Sequence, residues 1–381
     1  MFVFFLLILI FSALYEPLLI RKMLGLRKRI WPLQLLGVLF LIGYFAVIAS
    51  RVFVRPNVVW AAVYDFLGLY FIFQVYLFLY LRLVQILGLI GRLAARRGGS
   101  SSPAKPGKLL KAAAAIGLAL CAGLVLYGTV KARFFCVTEF EIALPRLEKA
   151  VTVVHLPDLH LGDSRGKAYL ESVLEKVREI GPDIVLYNGD LVDSRMALRD
   201  EVFDLFRGLA AEQYFTTGNH EYYVGADEVI AMVRKAGIRV LRSESVETHG
   251  IQLIGLEYMN ADRQSRDAHQ VNQLIMEEEL PKIPKSGHLP AVVVHHSPVG
   301  VKYVEAYGAE AMLSGHTHGG QLFPGTVIIK SRFPMFRGLY PGGQTSVLVS
   351  QGAGTFGPMM RLGTFNEVQV VRFVPAANSG Q

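Results

Sequence analysis

The chain is poor in cysteine. Its 381 residues include only two, Cys121 and Cys136. Cys121 falls inside a long apolar stretch and Cys136 lies just beyond it, so the pair does not form the framework of a disulfide-rich protein. We predict that the chain has no disulfide bond.

Acidic residues are almost missing from the first third of the chain. Residues 1–134 contain 16 Lys and Arg but only two acids, Glu16 and Asp65, which gives a net charge of +14. The remaining residues contain 23 Lys and Arg against 29 Asp and Glu, which gives −6. The overall charge of +8 therefore conceals two opposite halves, and we expect no nucleic-acid partner.

Charged residues are also scarce in four long segments of that first third. Hydrophobic residues make up 52% of the chain, and the mean hydropathy of +0.37 is high for a soluble protein. A membrane-crossing helix needs roughly 20 apolar residues. Residues 1–134 are therefore predicted to form an all-α membrane domain of four transmembrane helices, at about 1–20, 33–54, 58–81 and 112–130. The first segment lacks the basic start and cleavage site of a signal peptide, so we expect it to be retained.

Positive charge is concentrated in two of the connecting segments. One cluster runs from Arg21 to Arg29 and the other from Arg82 to Lys111. Short basic loops remain on the cytoplasmic side of a membrane. We therefore expect a multi-pass protein of the cell membrane, with the domain after the fourth helix on the periplasmic or extracellular side.

From residue 135 to residue 381, short apolar runs alternate with segments of helical spacing. Runs bounded by Gly or Pro predict buried strands at Val151–Val154, Ile184–Tyr187, Tyr214–Phe215, Val292–Val294 and Ala311–Leu313. Helices are predicted at 167–180, 199–210, 226–236 and 265–280. This alternation predicts that residues 135–381 form an α/β domain.

Polar motifs follow the predicted strands in a fixed order. They are DLH at 158–160, GD at 189–190, GNHE at 218–221, HH at 295–296 and GHTHGGQ at 315–321. Side chains at the exits of neighbouring strands converge at one end of a sheet. Imidazole, carboxylate and amide oxygen together suit borderline divalent metals such as Zn, Mn or Fe. The motifs therefore predict a metal site, which is binuclear if one carboxylate bridges two ions.

This ordered set of motifs resembles the calcineurin-like metallophosphoesterase superfamily over about residues 150–371. The resemblance implies the fold of that superfamily, a four-layer α-β-β-α sandwich, for the catalytic domain at 135–381. GHTHGGQ is followed by Gly338-Leu339-Tyr340 and Gly352-Ala353-Gly354-Thr355. Those residues look like the membrane-associated branch that includes UDP-2,3-diacylglucosamine pyrophosphohydrolase-like proteins.

The resemblance implies that two divalent metal ions act as cofactors. One ion would be held by Asp158, His160 and His318. The other would be held by Asn219, His296 and His316. Asp190 would bridge them. Two cations roughly 3.5 to 4 Å apart can share a hydroxide that attacks the phosphorus, and they can clamp the phosphoryl oxygens.

The same resemblance gives roles to residues beside the ligands. His220 would be the catalytic residue that faces the substrate and stabilises or protonates the leaving oxygen. His295 and His296 would point to opposite faces of a strand. The family ligand stands two residues before a proline, which selects His296 and leaves His295 to support it. Asp193 and Glu221 are expected to hydrogen-bond the ligands in place.

These inferences predict a membrane-bound phosphoesterase that acts on a phosphoester or pyrophosphate bond of a lipid-linked or cell-envelope substrate. Its partners would be the lipid bilayer and that phosphorylated substrate. One alternative is the UDP-2,3-diacylglucosamine pyrophosphohydrolase of lipid A synthesis. Another is a non-catalytic membrane receptor or scaffold that retains the fold. The apolar, turn-rich stretch after Gln321 forms either loops packed over the domain or, in part, a lipid-facing rim beside the active site.

Overall fold

The structure is a computed structural model that describes residues 2–25, 30–50, 57–97, 108–162, 164–265 and 271–377. The chain divides into two compact units, and the boundary between them follows Val130. The first unit is helical, whereas the second contains all of the β-strands.

The N-terminal region contains four helices: α1 Phe2–Leu24, α2 Trp31–Ser50, α3 Val58–Arg97 and α4 Lys108–Lys131. Among the described residues, three stretches are long and apolar enough to cross a membrane: Trp31–Ile48, Val58–Ala94 and Leu110–Lys131. The first predicted span, at 1–20, is not one of them. The prediction of four transmembrane helices therefore stays unconfirmed.

The helix that contains the third predicted span, α3, continues for four further turns beyond residue 81. Arg82 and Arg92, which the sequence analysis placed in a loop, lie on this helix. The Arg82 guanidinium lies over the rings of Tyr15 and Phe78, 5.3 Å and 5.2 Å from their centroids. Arginine is a good helix former, and the candidate membrane span extends through both arginines to Ala94.

The second unit is built on two six-stranded sheets. Its strands are β1 Phe135–Leu144, β2 Val151–His155, β3 Ile184–Asn188, β4 Glu212–Thr216, β5 Arg239–Val240, β6 Glu244–Thr248, β7 Ile251–Gly255, β8 Ala291–Val294, β9 Ala311–Ser314, β10 Gly338–Tyr340, β11 Ser346–Val349 and β12 Asn366–Pro375. The first sheet has the order β1-β12-β2-β3-β4-β5, and the second has the order β10-β11-β9-β8-β7-β6. Strands β2 to β5 are parallel to one another, as are β7, β8, β9 and β11.

The helices of this unit connect the strands. They are α5 Lys167–Ile180, α6 Asp200–Phe203, α7 Asn219–Val224, α8 Ala226–Lys235, α9 Met276–Glu279, α10 Val301–Tyr307 and α11 Gly325–Arg332. The five predicted strands are confirmed as β2, β3, β4, β8 and β9. The helices predicted at 167–180 and 226–236 are confirmed as α5 and α8.

Three clusters of buried apolar side chains separate the layers of the second unit. The middle cluster packs the two sheets against each other and includes Val153 of β2 and Val292 of β8. The next residue on each strand faces the opposite way, as the pleat requires. Val154 packs with α5 and α8, and Val293 packs with α9 and α10. The layers therefore run helix, sheet, sheet, helix.

The helix predicted at 199–210 is wrong beyond Phe203. There α6 gives way to a 3₁₀ segment, Asp204–Gly208. Phe203 and Phe206 are both buried. A spacing of three residues places them on one face of either helix type, so the apolar spacing alone could not distinguish a 3₁₀ segment from an α-helix.

Of the helix predicted at 265–280, residues 266–270 lie outside the described residues. Among those that the structure describes, only α9 is α-helical, so the prediction is wrong for most of this segment. The side chain of Asn272 donates to the Tyr258 carbonyl at 2.7 Å and accepts from the Leu274 amide at 3.0 Å. Such bonds compete with helical hydrogen bonds and favour a turn.

The stretch after Gln321 is not made of loops alone, because it contains α11 and three strands. Strand β12 lies between β1 and β2, more than 200 residues away along the chain. Its pairing is non-local, so a local pattern of turn residues could not indicate it.

Candidate metal centre

The polar motifs lie at the carboxyl ends of neighbouring strands. Asp158 follows β2, Asp190 follows β3 and Asn219 follows β4; His296 follows β8, and His316 follows β9. Because β2, β3 and β4 are parallel neighbours, their exits meet at one edge of the first sheet. The exits of β8 and β9 meet at the corresponding edge of the second sheet.

Hydrogen bonds between the exit loops hold the motifs together. The Asp158 amide donates to the Gly189 carbonyl at 3.0 Å, and the His160 amide donates to the Asp190 carbonyl at 2.9 Å. The His316 amide donates to Asp158 Oδ2 at 2.9 Å, which joins the two sheets at the site.

A first cluster consists of Asp158, His160 and His318, which each offer a ligand atom within 4.8 Å of the others. His318 Nε2 lies 3.2 Å from Asp158 Oδ1 and 3.1 Å from His160 Nε2. All three residues are buried. These are the residues that the sequence analysis assigned to the first metal ion.

A second cluster consists of Asp190, His296 and His316, again with ligand atoms within 4.8 Å of one another. His296 Nε2 lies 3.2 Å from Asp190 Oδ2. The same Asp190 oxygen is 3.7 Å from His160 Nε2 in the first cluster. Asp190 therefore faces both clusters, and so does Asp158, whose Oδ1 lies 3.7 Å from His296 Nε2.

The backbone of the site is in an unusual conformation. Five of the cluster residues have positive φ angles: Asp158 57°, His160 48°, Asp190 52°, His316 68° and His318 49°. Residues other than glycine rarely adopt the left-handed backbone region. Such backbone strain is concentrated at functional sites. The loops therefore present side chains in directions that ordinary strand ends would not provide.

Two motif glycines are required by close approach. A Cβ at Gly218 would overlap Asp190 Oδ1, and a Cβ at Gly315 would overlap Asp158 Oδ2 and Pro157. These contacts explain why the motifs GNHE and GHTHGGQ begin with glycine.

His295 and His296 diverge, as the alternation of a strand predicts. His296 Nδ1 donates to the Asn188 carbonyl at 2.7 Å, which directs its Nε2 towards the carboxylates. The His295 ring instead contacts the Ser297 carbonyl at 2.7 Å and stacks on Tyr258. Tyr258 also lies against His296, so its ring connects His295 to the cluster.

Glu221 holds two of the motifs together. Its buried carboxylate accepts backbone N–H groups from Gly218 at 2.7 Å and from Asp190 and Leu191 at 2.8 Å each. The GNHE loop and the GD loop thus share one anchor. Burial and the charge of Asp190 raise the pKa of Glu221 to about 7, although the backbone donors oppose this shift.

Asp193 lies between two imidazoles. Its Oδ1 is 2.8 Å from His220 Nδ1 and 3.4 Å from His160 Nδ1. His220 Nε2 faces Asp190 Oδ2 at 3.8 Å. Burial by itself lowers the pKa of His220, but Asp190 and Asp193 outweigh it and raise that pKa to about 9. The two carboxylates therefore favour the protonated form of His220.

The two cluster carboxylates are ionised despite their burial. Burial alone raises a carboxyl pKa, but His318 and His296 hold the pKa of Asp158 well below its usual range. His296 and His220 do the same for Asp190. In return, Asp190 and Asp158 overcome burial and raise the pKa of His296 to about 10. The pocket is thus built to hold positive charge.

The donor atoms fit divalent metal ions. Asn219 Oδ1 is buried with no hydrogen-bond partner, although buried polar atoms normally have one. The His296 ring directs a nitrogen at two ionised carboxylates. A cation would satisfy both the Asn219 oxygen and the group formed by His296 and the carboxylates. A mixture of imidazole nitrogen and oxygen ligands suits Zn, Mn or Fe.

Arg361 is a residue of the site that the sequence analysis did not assign. It is fully buried, and its guanidinium donates to the His318 carbonyl at 2.9 Å and the Gln351 carbonyl at 2.7 Å. One of its nitrogens lies 3.2 Å from His318 Nδ1. The only sequence signal was an arginine inside an apolar stretch that has no acidic residue near it.

A cavity of about 350 Å³ opens beside the clusters. Its polar lining includes Asp190, Asn219, His220, His316 and His318. Its apolar lining comes from α11 and the loops near it: Ile328, Ile329, Phe333 and Phe356. A ligand in this cavity would meet both the clusters and a hydrophobic wall.

This fold and this site are typical of metal-dependent phosphoesterases. A sequence profile of the calcineurin-like phosphoesterase family matches residues 151–320. An uncharacterized metallophosphoesterase of Aquifex aeolicus (strain VF5) is 32% identical over 258 residues, which cover 64% of this chain and 94% of the relative. The chain therefore belongs to the calcineurin-like phosphoesterase family, whose members are metal-dependent hydrolases.

Two further relatives differ in how much they share. An uncharacterized metallophosphoesterase of Helicobacter pylori (strain J99) is 28% identical over 243 residues, 63% of this chain. The chain covers only 64% of that relative's length. A transmembrane protein with metallophosphoesterase domain from Danio rerio is 28% identical over 362 residues, 90% of this chain and 80% of the relative. The similarity to the Danio rerio protein thus extends into the helical region.

Proposed function

We propose that the protein is a membrane-bound phosphoesterase that uses two divalent metal ions to hydrolyse a phosphate ester or anhydride of a lipid-linked substrate. The observation that carries this proposal is the cavity that joins both clusters to an apolar wall. Such a cavity matches an amphiphilic phosphoester, with the phosphate at the clusters and a hydrocarbon part against Ile328 and Phe356.

Seven residues would hold the ions. The first ion is assigned to Asp158, His160 and His318. The second is assigned to Asn219, His296 and His316. Asp190, which faces both clusters, is assigned to both ions. When bound, two such cations supply an activated water and neutralise phosphoryl charge.

His220 is assigned as the proton donor to the leaving oxygen. It lines the cavity, and Asp193 orients its ring through Nδ1. Its side chain is 21% exposed, so Nε2 can reach a substrate. A positioned donor of this kind contributes roughly 10² to 10⁴ in rate.

The location we propose is the cell membrane, with the second unit on the periplasmic or extracellular side. Three transmembrane helices would place the second unit on the same side of the membrane as four. The reason is that the basic segment before the last candidate span sets the orientation. The Danio rerio relative, named as a transmembrane protein, supports the membrane assignment. This side disfavours UDP-2,3-diacylglucosamine as substrate, since nucleotide-linked lipid precursors are ordinarily made on the cytoplasmic face.

The proposed side can be tested with two reporters fused after Gln381 in a bacterial host. Alkaline phosphatase, which is active only outside the cytoplasm, is expected to be active. Green fluorescent protein fluoresces in the cytoplasm but not after export through the general secretory route. Its fusion is therefore expected to be dark. The reverse pattern would place the second unit in the cytoplasm and restore the nucleotide-linked substrate.

The proposed reaction can be tested on the full chain purified in detergent micelles and loaded with Mn²⁺. We expect hydrolysis of p-nitrophenyl phosphate or its diester, loss of activity with EDTA, and recovery with Mn²⁺. We also expect a long-chain lipid phosphate to give a lower KM than a short-chain one, since each buried CH₂ contributes about 0.8 kcal/mol.

Three outcomes separate the alternatives. Equal KM values for the two chain lengths would contradict the lipid-linked substrate. Release of UMP from a UDP-linked lipid, without monoesterase activity, would favour the pyrophosphohydrolase. Full metal loading without hydrolysis of any of these substrates would favour the non-catalytic receptor.

A further inference from the structure

A group of exposed apolar side chains surrounds the cavity mouth. Of seven large apolar side chains exposed among the described residues from 131 to 377, four lie in this area. They are Phe323, Val327, Ile328 and Phe356, which are 53%, 62%, 64% and 48% exposed. We call these four residues, with α11, the α11 rim. Water-exposed apolar patches of this kind mark interaction surfaces.

The rim is one continuous piece of the structure. Phe323 immediately precedes α11, whereas Val327 and Ile328 lie on it. The Gln321 side chain donates to the Phe356 carbonyl at 3.0 Å and accepts from the Phe356 amide at 3.2 Å. Ile328 and Phe356 also line the same cavity.

The rim is flanked by positive charge in an otherwise acidic unit. Residues 311–366 contain four Lys and Arg and no Asp or Glu, whereas the rest of residues 135–381 contains 19 Lys and Arg against 29 Asp and Glu. Lys330, Arg332 and Arg337 are exposed. The Lys330 ammonium and the Arg337 guanidinium lie 5.6 Å and 5.4 Å from the Phe336 ring centroid. The basic side chains are therefore held beside the exposed apolar ones.

We propose that the α11 rim docks onto the surface of an anionic lipid bilayer. Exposed apolar side chains bordered by Lys and Arg are the composition that enters the headgroup region of anionic membranes. The candidate spans of the same chain would keep a bilayer within reach at high effective concentration. Docking places the cavity mouth at the bilayer, where an amphiphilic substrate is found. The inference rests on the proposed membrane location, but it does not depend on which bond is hydrolysed.

The first test measures where the rim lies, without using activity. The full chain with Cys136→Ser and Val327→Cys is labelled with an environment-sensitive fluorophore in nanodiscs. The nanodiscs contain phosphatidylcholine alone or an equimolar mixture with phosphatidylglycerol. We expect the label in the anionic nanodiscs to be shielded from a water-soluble quencher and quenched by brominated lipid. Ser172→Cys on α5, also an exposed helical position, is the control and is expected to stay water-accessible.

Two outcomes of this test would overturn the proposal. One is a label at position 327 as accessible to the water-soluble quencher as the label at position 172. The other is shielding that does not depend on lipid charge and follows protein concentration, which would assign the rim to a protein partner. A thermal unfolding midpoint within about 2 °C of that of the unlabelled parent protein shows that each labelled protein is folded.

The second test separates docking from the reaction itself. Lys330→Glu and Val327→Asp change rim residues that do not line the cavity. We expect each to lower hydrolysis of a lipid phosphate in anionic nanodiscs by roughly tenfold while leaving p-nitrophenyl phosphate hydrolysis unchanged. Val137→Asp on β1 is a matched exposed-valine control that should change neither. Loss of both activities would indicate damage to the site, and unchanged lipid hydrolysis would contradict the docking role.

Discussion

Replacing Asp190 by asparagine is expected to lower kcat/KM by about 10²- to 10³-fold. Asp190 is a carboxylate that faces both clusters, with Oδ2 at 3.2 Å from His296 Nε2 and 3.7 Å from His160 Nε2. Cations in such a site supply several kcal/mol of transition-state stabilisation, and about 1.4 kcal/mol corresponds to tenfold in rate. In the proposed two-ion site, removing the shared negative charge is expected to weaken the binding of both ions.

Asparagine is the appropriate replacement because it preserves the surrounding structure. Asp190 Oδ1 accepts the His220 amide at 2.9 Å, and an asparagine oxygen can accept the same bond. The expected loss therefore comes from charge and not from collapse of the loop. A metal-free variant should have a Tm close to that of the metal-free parent protein.

The measurement combines kinetics with metal analysis of the full chain. We expect bound metal to fall from two ions per chain to one or fewer, with activity partly restored at high Mn²⁺ concentration. Asp200→Asn, an exposed aspartate on α6 paired with Lys235, is the control and should change neither quantity. Two tightly bound ions and normal kcat/KM in the Asp190 variant would remove Asp190 from the bridging role.

The motif residues were predictable because each stands directly after a run whose pattern is local. A buried parallel strand is apolar along its whole length, so Val151–Val154 and Ile184–Tyr187 could be recognised from the sequence itself. Their exits converge by the geometry of parallel sheets, which brought Asp158, Asp190 and Asn219 together as expected. The sequence therefore predicted the site where residue types that bind metal directly follow the apolar pattern of a buried strand.

Other parts of the fold depend on distant partners and could not be predicted in that way. Arg361 reaches His318 and Gln351 only because β12 returns through the first sheet. Asp and His adopt the left-handed region more often than most residues, but residue type alone does not single out Asp158 and His160 for it. The third span was predicted to end before Arg82, whereas the apolar stretch continues to Ala94 and α3 continues to Arg97.

A substitution at His220 is expected to separate metal binding from the rate of the chemical step. His220→Ala should retain both metal ions while kcat falls by roughly 10² to 10⁴. In the structure His220 lines the cavity; its Nδ1 lies 2.8 Å from Asp193 Oδ1, and its Nε2 lies 3.8 Å from Asp190 Oδ2. A proton donor matters most when the leaving group is a poor one. The loss should therefore be larger for an alkyl phosphate than for p-nitrophenyl phosphate, whose leaving group needs little help.

The competing role for His220 is direct metal ligation, because His160, Asp193 and His220 also form a group with ligand atoms within 4.8 Å of one another. Metal content decides between the two roles, since a ligand variant loses an ion and a donor variant does not. His249→Ala, a histidine outside every motif that lies 3.7 Å from Glu212, is the matched control and should behave as the parent protein. An equal loss of kcat on both leaving groups, together with a missing ion, would reassign His220 from proton donor to ligand and make Asp193 its partner in holding that ion.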